Sequence, residues 1–413
     1  MIAQKISQTG ATPISQSGPT YRSELLDAAY EEYLSRRARG EQVDPDQFCA
    51  AFPSMKSSLG RLLRFDAFLQ GHEPLLENWP APGDKYAGFV LLHQLGQGAF
   101  ARVYLARDER LGGRLVVLKV SRHGGPEANI LGRIQHPNVV PVYSILDDEP
   151  TGLCAVCMPY LGSATLDDVL DRLQGEQYFP ERARFILDSA EGLPMPLDPS
   201  AEPGAPDVNL LSGAYVEGIR WIGARLAGAL AFLHNLGICH RDLKPSNVLM
   251  QPNGTPVLLD FNLCTDQNAD DVPFGGTLVY MAPEQLTSFP SEPGHAKSGP
   301  QADLFSLGVL LYQLATGQHP FDPLSLALKT PELRALLLER QKGGARPACE
   351  LNPRIDRAFS DLIQQCLAFD PKDRPESAAH LAALLHDGLP KPAESTRLAR
   401  TNLRGWLEPV MHL

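Results

Sequence analysis

Long apolar runs are missing from this sequence. The longest, Leu304 to Ala315, is too short and too interrupted to cross a bilayer, which takes about 20 apolar residues. The first residues lack a basic region followed by an apolar stretch, so no secretory signal and no membrane segment are expected. Cysteine is scarce. Seven are scattered irregularly through 413 residues, which excludes a disulfide framework and fits a reduced, cytoplasmic setting. Cys154 and Cys157 have metal-like spacing but lie in the apolar run Leu153 to Met158 with no second pair nearby, so a buried strand is the simpler reading. Basic excess is missing too: 48 Asp and Glu against 37 Lys and Arg leave a formal net charge of -11, which argues against nucleic acid or an anionic membrane as partner. No internal repeat is visible, and composition leaves the oligomeric state unspecified.

What is present is ample material for a core, with 43% of residues hydrophobic and 21% charged. Residues 1–20 are rich in Ser, Thr, Gln and Gly and are expected to be disordered. Residues 21–77 read as a helical extension. Leu26, Tyr30, Tyr33 and Leu34 repeat at helical spacing, Asp44-Pro45 forms an N-cap signature before Phe48 and Phe52, and Leu59, Leu62, Leu63 and Leu69 mark a third face. Asn78 to Lys85, with two prolines and a glycine, reads as a linker. From Tyr86 short apolar runs joined by turns predict an antiparallel sheet: Phe89 to Leu92, Val103 to Ala106, Leu115 to Leu118. After Asp167 the pattern is helical, apart from a Pro/Gly/Asp/Ser-rich insertion from Glu191 to Ser212. A strand-rich part followed by a helical part suggests two lobes with a cleft between them.

The chemistry-bearing motifs lie along that cleft. Gly96-Gln97-Gly98-Ala99-Phe100-Ala101 is a GxGxxA turn joining strand to strand, where small residues let backbone N–H groups approach phosphate oxygens; a dinucleotide site would need a helix directly after it. Lys119 ends the strand Val116-Val117-Leu118. Glu127, just after Pro126 at the start of a predicted helix, can hold the ammonium against phosphates. The decisive stretch is His240-Arg241-Asp242-Leu243-Lys244-Pro245-Ser246-Asn247, followed by Val248-Leu249-Met250.

That octapeptide resembles the catalytic loop of the eukaryotic-type (Hanks-type) serine/threonine protein kinase family, and the segment before Tyr86 is similar to those preceding the kinase domain in some bacterial members. The resemblance covers about residues 86–386. It implies an α+β fold of two lobes: a small antiparallel sheet plus one helix (about 86–158) and a large helical lobe (about 162–386), with residues 387–413 as a tail. It implies ATP with magnesium, or manganese, as cofactors and protein Ser/Thr hydroxyls as substrate. Asp242 then takes the hydroxyl proton, Lys244 neutralises the transferred phosphoryl, and Asn247 with Asp260 of Asp260-Phe261-Asn262 holds the metal. Lys119 and Glu127 align the phosphates. Met158 becomes the gatekeeper, Pro159 and Leu161 offer a carbonyl and an N–H to adenine, and Leu95, Val103, Val117 and Leu249 complete the nucleotide contacts. Met281-Ala282-Pro283-Glu284 closes the activation segment, Arg374 pairs with Glu284, Asp303 braces the catalytic loop, and His240 packs in the core.

Departures from the family pattern qualify this reading. Only seven residues separate Lys119 from Glu127, so the regulatory helix loses its first turns, and the N-terminal helices are expected to pack on the small lobe in compensation. Asn262 replaces a glycine, though Asn tolerates positive φ comparatively well. Val117 replaces an alanine over adenine. The activation segment carries only Thr265 and Thr277 as hydroxyl residues; Asp266, Asp270 and Asp271 offer fixed negative charge in its place or simply a solvated loop. A nucleotide-binding scaffold without phosphotransfer, and a kinase for a small molecule, stand as alternatives. The tail, with Lys391, Arg397, Arg400, Arg404 and Trp406, reads as a frayed terminus or a docking segment.

Overall fold

The computed structural model describes residues 29–30, 32–33, 36–37, 39, 41, 43–56, 59–60, 63, 79–97, 101–121, 134–148, 152–190, 205–259, 277–287, 299–322, 328 and 330–389. Six strands form one antiparallel sheet: β1 (Lys85–Tyr86), β2 (Phe89–Gln97), β3 (Ala101–Asp108), β4 (Arg114–Ser121), β5 (Ser144–Asp148) and β6 (Leu153–Pro159), in the order β1-β2-β3-β4-β6-β5. Strand alternation divides the sheet into two faces. On β4 the residues Val116, Leu118 and Val120 are buried in an apolar cluster with Phe89, Leu91 and Tyr104, while Val117 and Lys119 fall on the opposite face and are half-buried. The turn between β3 and β4 uses Gly112 and Gly113 at φ 69° and 82°, a backbone that other residues adopt only with strain.

The segment read as a linker is docked. Trp79 packs against the small-lobe cluster, Arg102 lies over its ring at 5.2 Å, and Tyr104 Oη donates to the Pro80 carbonyl at 2.6 Å. A tryptophan carries too much apolar area to stay in solvent when a sheet face is adjacent.

The large lobe is helical, as its 3.6-residue periodicity predicts. After α1 (Pro45–Ala50) in the extension come α2 (Leu166–Gly175), α3 (Tyr215–Asn235), α4 (Pro283–Thr287), α5 (Pro300–Thr316), α6 (Thr330–Gly343), α7 (Arg357–Cys366) and α8 (Ala378–Asp387). The longest apolar run is α5, buried from Ala302 to Thr316, because a helix apolar on every side belongs in a core. Two glycines let helices approach closely: a Cβ on Gly223 of α3 would stand 2.8 Å from Leu311, and one on Gly308 of α5 would stand 2.6 Å from Cys366 of α7. A two-stranded ribbon, β7 (Val248–Met250) with β8 (Pro256–Leu258), follows the catalytic loop.

The extension has a small core of its own: Ala29, Tyr33, Phe48, Cys49, Met55, Leu59 and Leu63. Asp44 caps α1 as its sequence predicts, Oδ1 accepting from the Asp46 and Gln47 amides. Among the described residues the extension is seated differently from the sequence expectation. Its 3-10 turn, Pro53–Met55, lies against α2 of the large lobe. Apolar periodicity identified faces that must be covered but carried no information about the covering surface.

Candidate active site

The catalytic loop is held by one buried carboxylate. Asp303, 1% exposed on α5, accepts from the His240 amide at 2.9 Å through Oδ2 and from the Arg241 amide at 2.8 Å through Oδ1. His234, at the end of α3, places Nε2 2.8 Å from the same Oδ2. These bonds hold Arg241 at φ 63°, a left-handed conformation that costs a residue with a Cβ about 1–2 kcal/mol. His240 is fully buried, its Nε2 bonded to the Leu259 carbonyl at 2.9 Å, so it acts as a core residue.

The chain then turns Asp242 into the cleft. Pro245 opens a 3-10 turn, Pro245–Asn247, and brings Asn247 back onto the loop. Asn247 Nδ2 donates to the Asp242 carbonyl at 2.8 Å and to its Oδ2 at 3.1 Å; Lys244 Nζ donates to the same Oδ2 at 2.7 Å. Asp242 Oδ1 is buried and has no hydrogen-bond partner among the described residues. One carboxylate oxygen is thus fixed by two donors, and the other is left to accept a proton or a hydroxyl. With its amide nitrogen committed to Asp242, Asn247 retains its carbonyl oxygen, a hard donor suited to a divalent cation.

The opposite wall comes from the sheet. Register pairs Val103 with Lys119, Lys119 with Val156, and Val117 with Met158, so these residues share one face. Val117 packs against the large apolar cluster that includes Met158, Leu161 and Leu249, so the small lobe, the link between lobes and β7 share one core. Leu95 sits at a register irregularity between Gln94 and Gly96, where β2 bends toward the glycine-rich turn. β6 ends at Pro159; buried Tyr160 and Leu161 follow, and Gly162 at φ 126° redirects the chain toward α2. Gly98, Ala99, Phe100, Glu127, Asp260, Phe261, Asn262, Thr265, Asp266, Asp270 and Asp271, and the side chains of Gln97 and Thr277, lie outside the described residues.

The far end of the activation segment is pinned. Arg374, its side chain fully buried, makes a two-pronged pair with Glu284 at 2.7 and 2.8 Å and also bonds the Gln301 and Ala368 carbonyls. Ser306 Oγ bonds the Tyr280 carbonyl, His319 Nε2 the Val279 carbonyl and Gln341 Nε2 the Met281 carbonyl. Sequence reasoning found Asp303, Arg374 and Glu284 but missed His234 and Gln285. Gln285 accepts from the Ala282 amide and donates to the Arg241 carbonyl at 3.3 Å, joining the segment to the loop. The one sequence signal for His234 is a basic side chain in the last turn of α3.

Cys154 and Cys157 lie buried in β6, as read, and burial first of all pushes both thiols up to about 11. Among the described residues the one His/Cys/Asp/Glu group compact enough for a metal is His234, Cys239 and Asp303, and its carboxylate is already occupied by the loop amides.

The profile of the protein kinase domain matches residues 89–385. The chain is 30% identical to the serine/threonine-protein kinase Pkn1 of Myxococcus xanthus over 344 residues, 79% of this chain and 41% of that protein. It is 31% identical to the DNA damage-responsive serine/threonine-protein kinase RqkA of Deinococcus radiodurans over 321 residues, 73% of this chain and 40% of that one. Against human ribosomal protein S6 kinase alpha-4 it is 28% identical over 338 residues, 80% of this chain and 36% of the relative. It therefore spans about two-fifths of the length of these curated relatives. No helix among the described residues is long and apolar enough to cross a membrane. The two-lobed architecture, the braced loop around Asp242 and the match over residues 89–385 lead to one conclusion: this chain belongs to the protein kinase family.

Proposed function

We propose that the chain is an active serine/threonine protein kinase that uses ATP with magnesium. The carrying observation is the Asp242 carboxylate, one oxygen held by Lys244 and Asn247 and the other buried and open. Family membership brings ATP and a divalent metal as the phosphoryl donor system, and the metal offsets charge that develops on the transferred group. The residues present fit both. Asn247 has a carbonyl oxygen to spare, Asp260 is the second carboxylate the family pattern supplies, and the side chains of Val117, Met158, Leu161 and Leu249 are apolar as a purine requires.

Asp242 orients the attacking hydroxyl and accepts its proton through Oδ1. Lys244, 2.7 Å from the other oxygen, keeps the carboxylate aimed and presents positive charge beside the reacting group. Lys119, on the cleft face of β4, positions the phosphates, with Glu127 as its partner. The turn from Gly96 to Ala101 covers them with backbone N–H groups. Preference for Ser and Thr rests on the Asp-Leu-Lys-Pro wording of the loop, on Thr277 and on the names of the relatives. Protein substrates and further partners belong to the whole protein, and cytoplasmic placement fits the scarcity of cysteine.

Radiolabelled ATP tests the proposal directly. Asp242→Asn keeps the shape but removes the base, and phosphotransfer to a basic protein substrate or to the chain itself is expected to fall about 10²–10⁴-fold. Nucleotide binding, followed by thermal shift with magnesium and ATP, is expected to persist. Equal transfer by wild type and variant defeats the assignment of Asp242, and binding without any transfer by wild type favours the scaffold.

A further inference from the structure

A second cluster of chemistry-bearing side chains lies at the root of the catalytic loop. A tight turn after α3 builds it. The Leu236 and Ile238 amides both donate to the Leu233 carbonyl, the Gly237 amide donates to the His234 carbonyl, and Gly237 takes φ 75°, so the helix closes and the chain doubles back. His234, in the last turn of α3, and Cys239, five residues on, are thereby brought to Asp303 of α5. The imidazole nitrogen, the thiol sulfur and the carboxylate oxygen all lie within 4.8 Å of one another. The Asp303 residue is 1% exposed and the His234 side chain 10%; Cys239 is a half-buried free thiol. Asn235, Leu236 and Gly237 are exposed, so solvent reaches the cluster across a single turn of chain.

The loop amides occupy Asp303 only in part. Oδ1 accepts from the Arg241 amide, while Oδ2 gives one lone pair to the His240 amide and turns the other to His234 Nε2 at 2.8 Å. A cation at the place of the proton between Nε2 and Oδ2 leaves both amides their acceptors. Tetrahedral bonds of about 2.0–2.1 Å to nitrogen and oxygen set those two atoms about 3.3 Å apart, so the imidazole backs off by roughly half an ångström and the thiolate closes to about 2.3 Å. The donor set selects the ion. One nitrogen, one sulfur and one oxygen suit zinc, whereas magnesium takes oxygens in an octahedron and does not compete. Charge also balances, since a thiolate and a carboxylate offset the two positive charges of the ion. On binding, the thiol proton passes to solvent and the imidazole keeps a proton on Nδ1.

We propose that His234, Cys239 and Asp303 form a zinc site at the root of the catalytic loop, three protein ligands with the fourth position left to water. The ion shares Asp303 with the loop, so its occupancy is felt at the His240 and Arg241 amides.

The reduced full-length chain, in magnesium and without nucleotide, is titrated with zinc against a chromophoric chelator and with cobalt(II) as the spectroscopic substitute. The expected result is one zinc per chain, and a cobalt form with a thiolate-to-metal charge-transfer band and the d–d bands of a tetrahedral ion. Cys239→Ser and Cys239→Ala remove a ligand that the loop brace does not use. Each is expected to keep the wild-type circular dichroism, to lose the charge-transfer band and to bind zinc at least about tenfold more weakly. Zinc is expected to slow amide hydrogen exchange at His240 and Arg241 in wild type and not in either variant. A cobalt form without the thiolate band, or equal zinc affinity in wild type and both variants, overturns the site. Zinc binding that leaves exchange at the two amides unaltered in wild type overturns the part given to Asp303. These two wild-type measurements decide the matter even where a variant folds poorly.

Discussion

Arg241 and Asp303 form a matched pair, one strained and one restraining. The left-handed backbone at Arg241 persists because its amide, its carbonyl and the neighbouring His240 amide are all bonded. Asp303→Asn leaves a single acceptor oxygen where two amides and an imidazole now converge. The expected outcome is a loss of about 1–3 kcal/mol in urea unfolding and a fall in kcat larger than any rise in the KM for ATP. An unchanged kcat overturns the role of Asp303 as a positioning residue. At this scale Asp242, Lys244, Asn247 and Asp303 were legible because their chemistry is written in consecutive residues or a recognisable pattern. His234 and Gln285 were not. Each works through a partner 69 or 44 residues away, and no local signal encodes such a distance.

Among elements, the clearest junction is the one that Arg374 makes between α4 and the start of α5. Removing one member of a buried ion pair leaves the other without compensation, so Arg374→Ala is expected to cost about 3–5 kcal/mol in chemical unfolding. Arg374→Lys should recover little, because an ammonium cannot reproduce the two-pronged bond to Glu284 or the further bonds to Gln301 and Ala368. Full recovery by Lys would show that charge alone matters there. Burial also sets thiol chemistry within elements: it pushes Cys366 of α7 up to about 12 and Cys154 and Cys157 of β6 up to about 11. A thiol with a raised pKa stays protonated and unreactive, so iodoacetamide at pH 8 should modify these three in urea and spare them in the native protein, as mass spectrometry can establish. Strands β2, β3, β4 and β6 were legible because alternation and turn residues are local. The docking of Trp79 and the seat of Pro53–Met55 were not, since both depend on which surface lies opposite.

For the molecule as a whole, the junction between lobes carries a pH-dependent contribution. The loop before β5 is stitched to β8 through Asn138, whose amide donates to Nδ1 of His136, and Asn138 Nδ2 donates to the Pro256 carbonyl. Burial, helped by the charge of Arg225, lowers the pKa of His136 to about 4. The unfolded chain therefore binds this proton first, and the contribution is whole above the ordinary value near 6.5 and is lost as pH falls toward 4. His136→Asn keeps an acceptor but does not titrate. Its urea midpoint should fall less than that of wild type between pH 6.5 and 4, and parallel curves would sink the assignment. The bracing of the catalytic loop has a further consequence, one of timing. Asp303 follows Arg241 by 62 residues and His240 by 63. At about 5–20 residues per second of synthesis, the loop leaves the ribosome roughly 3–12 seconds before the carboxylate that shapes it. Arg374 comes later still. A nascent chain thus carries the loop sequence for some seconds without the carboxylate that shapes it, and the loop is braced only after much of the large lobe has been made.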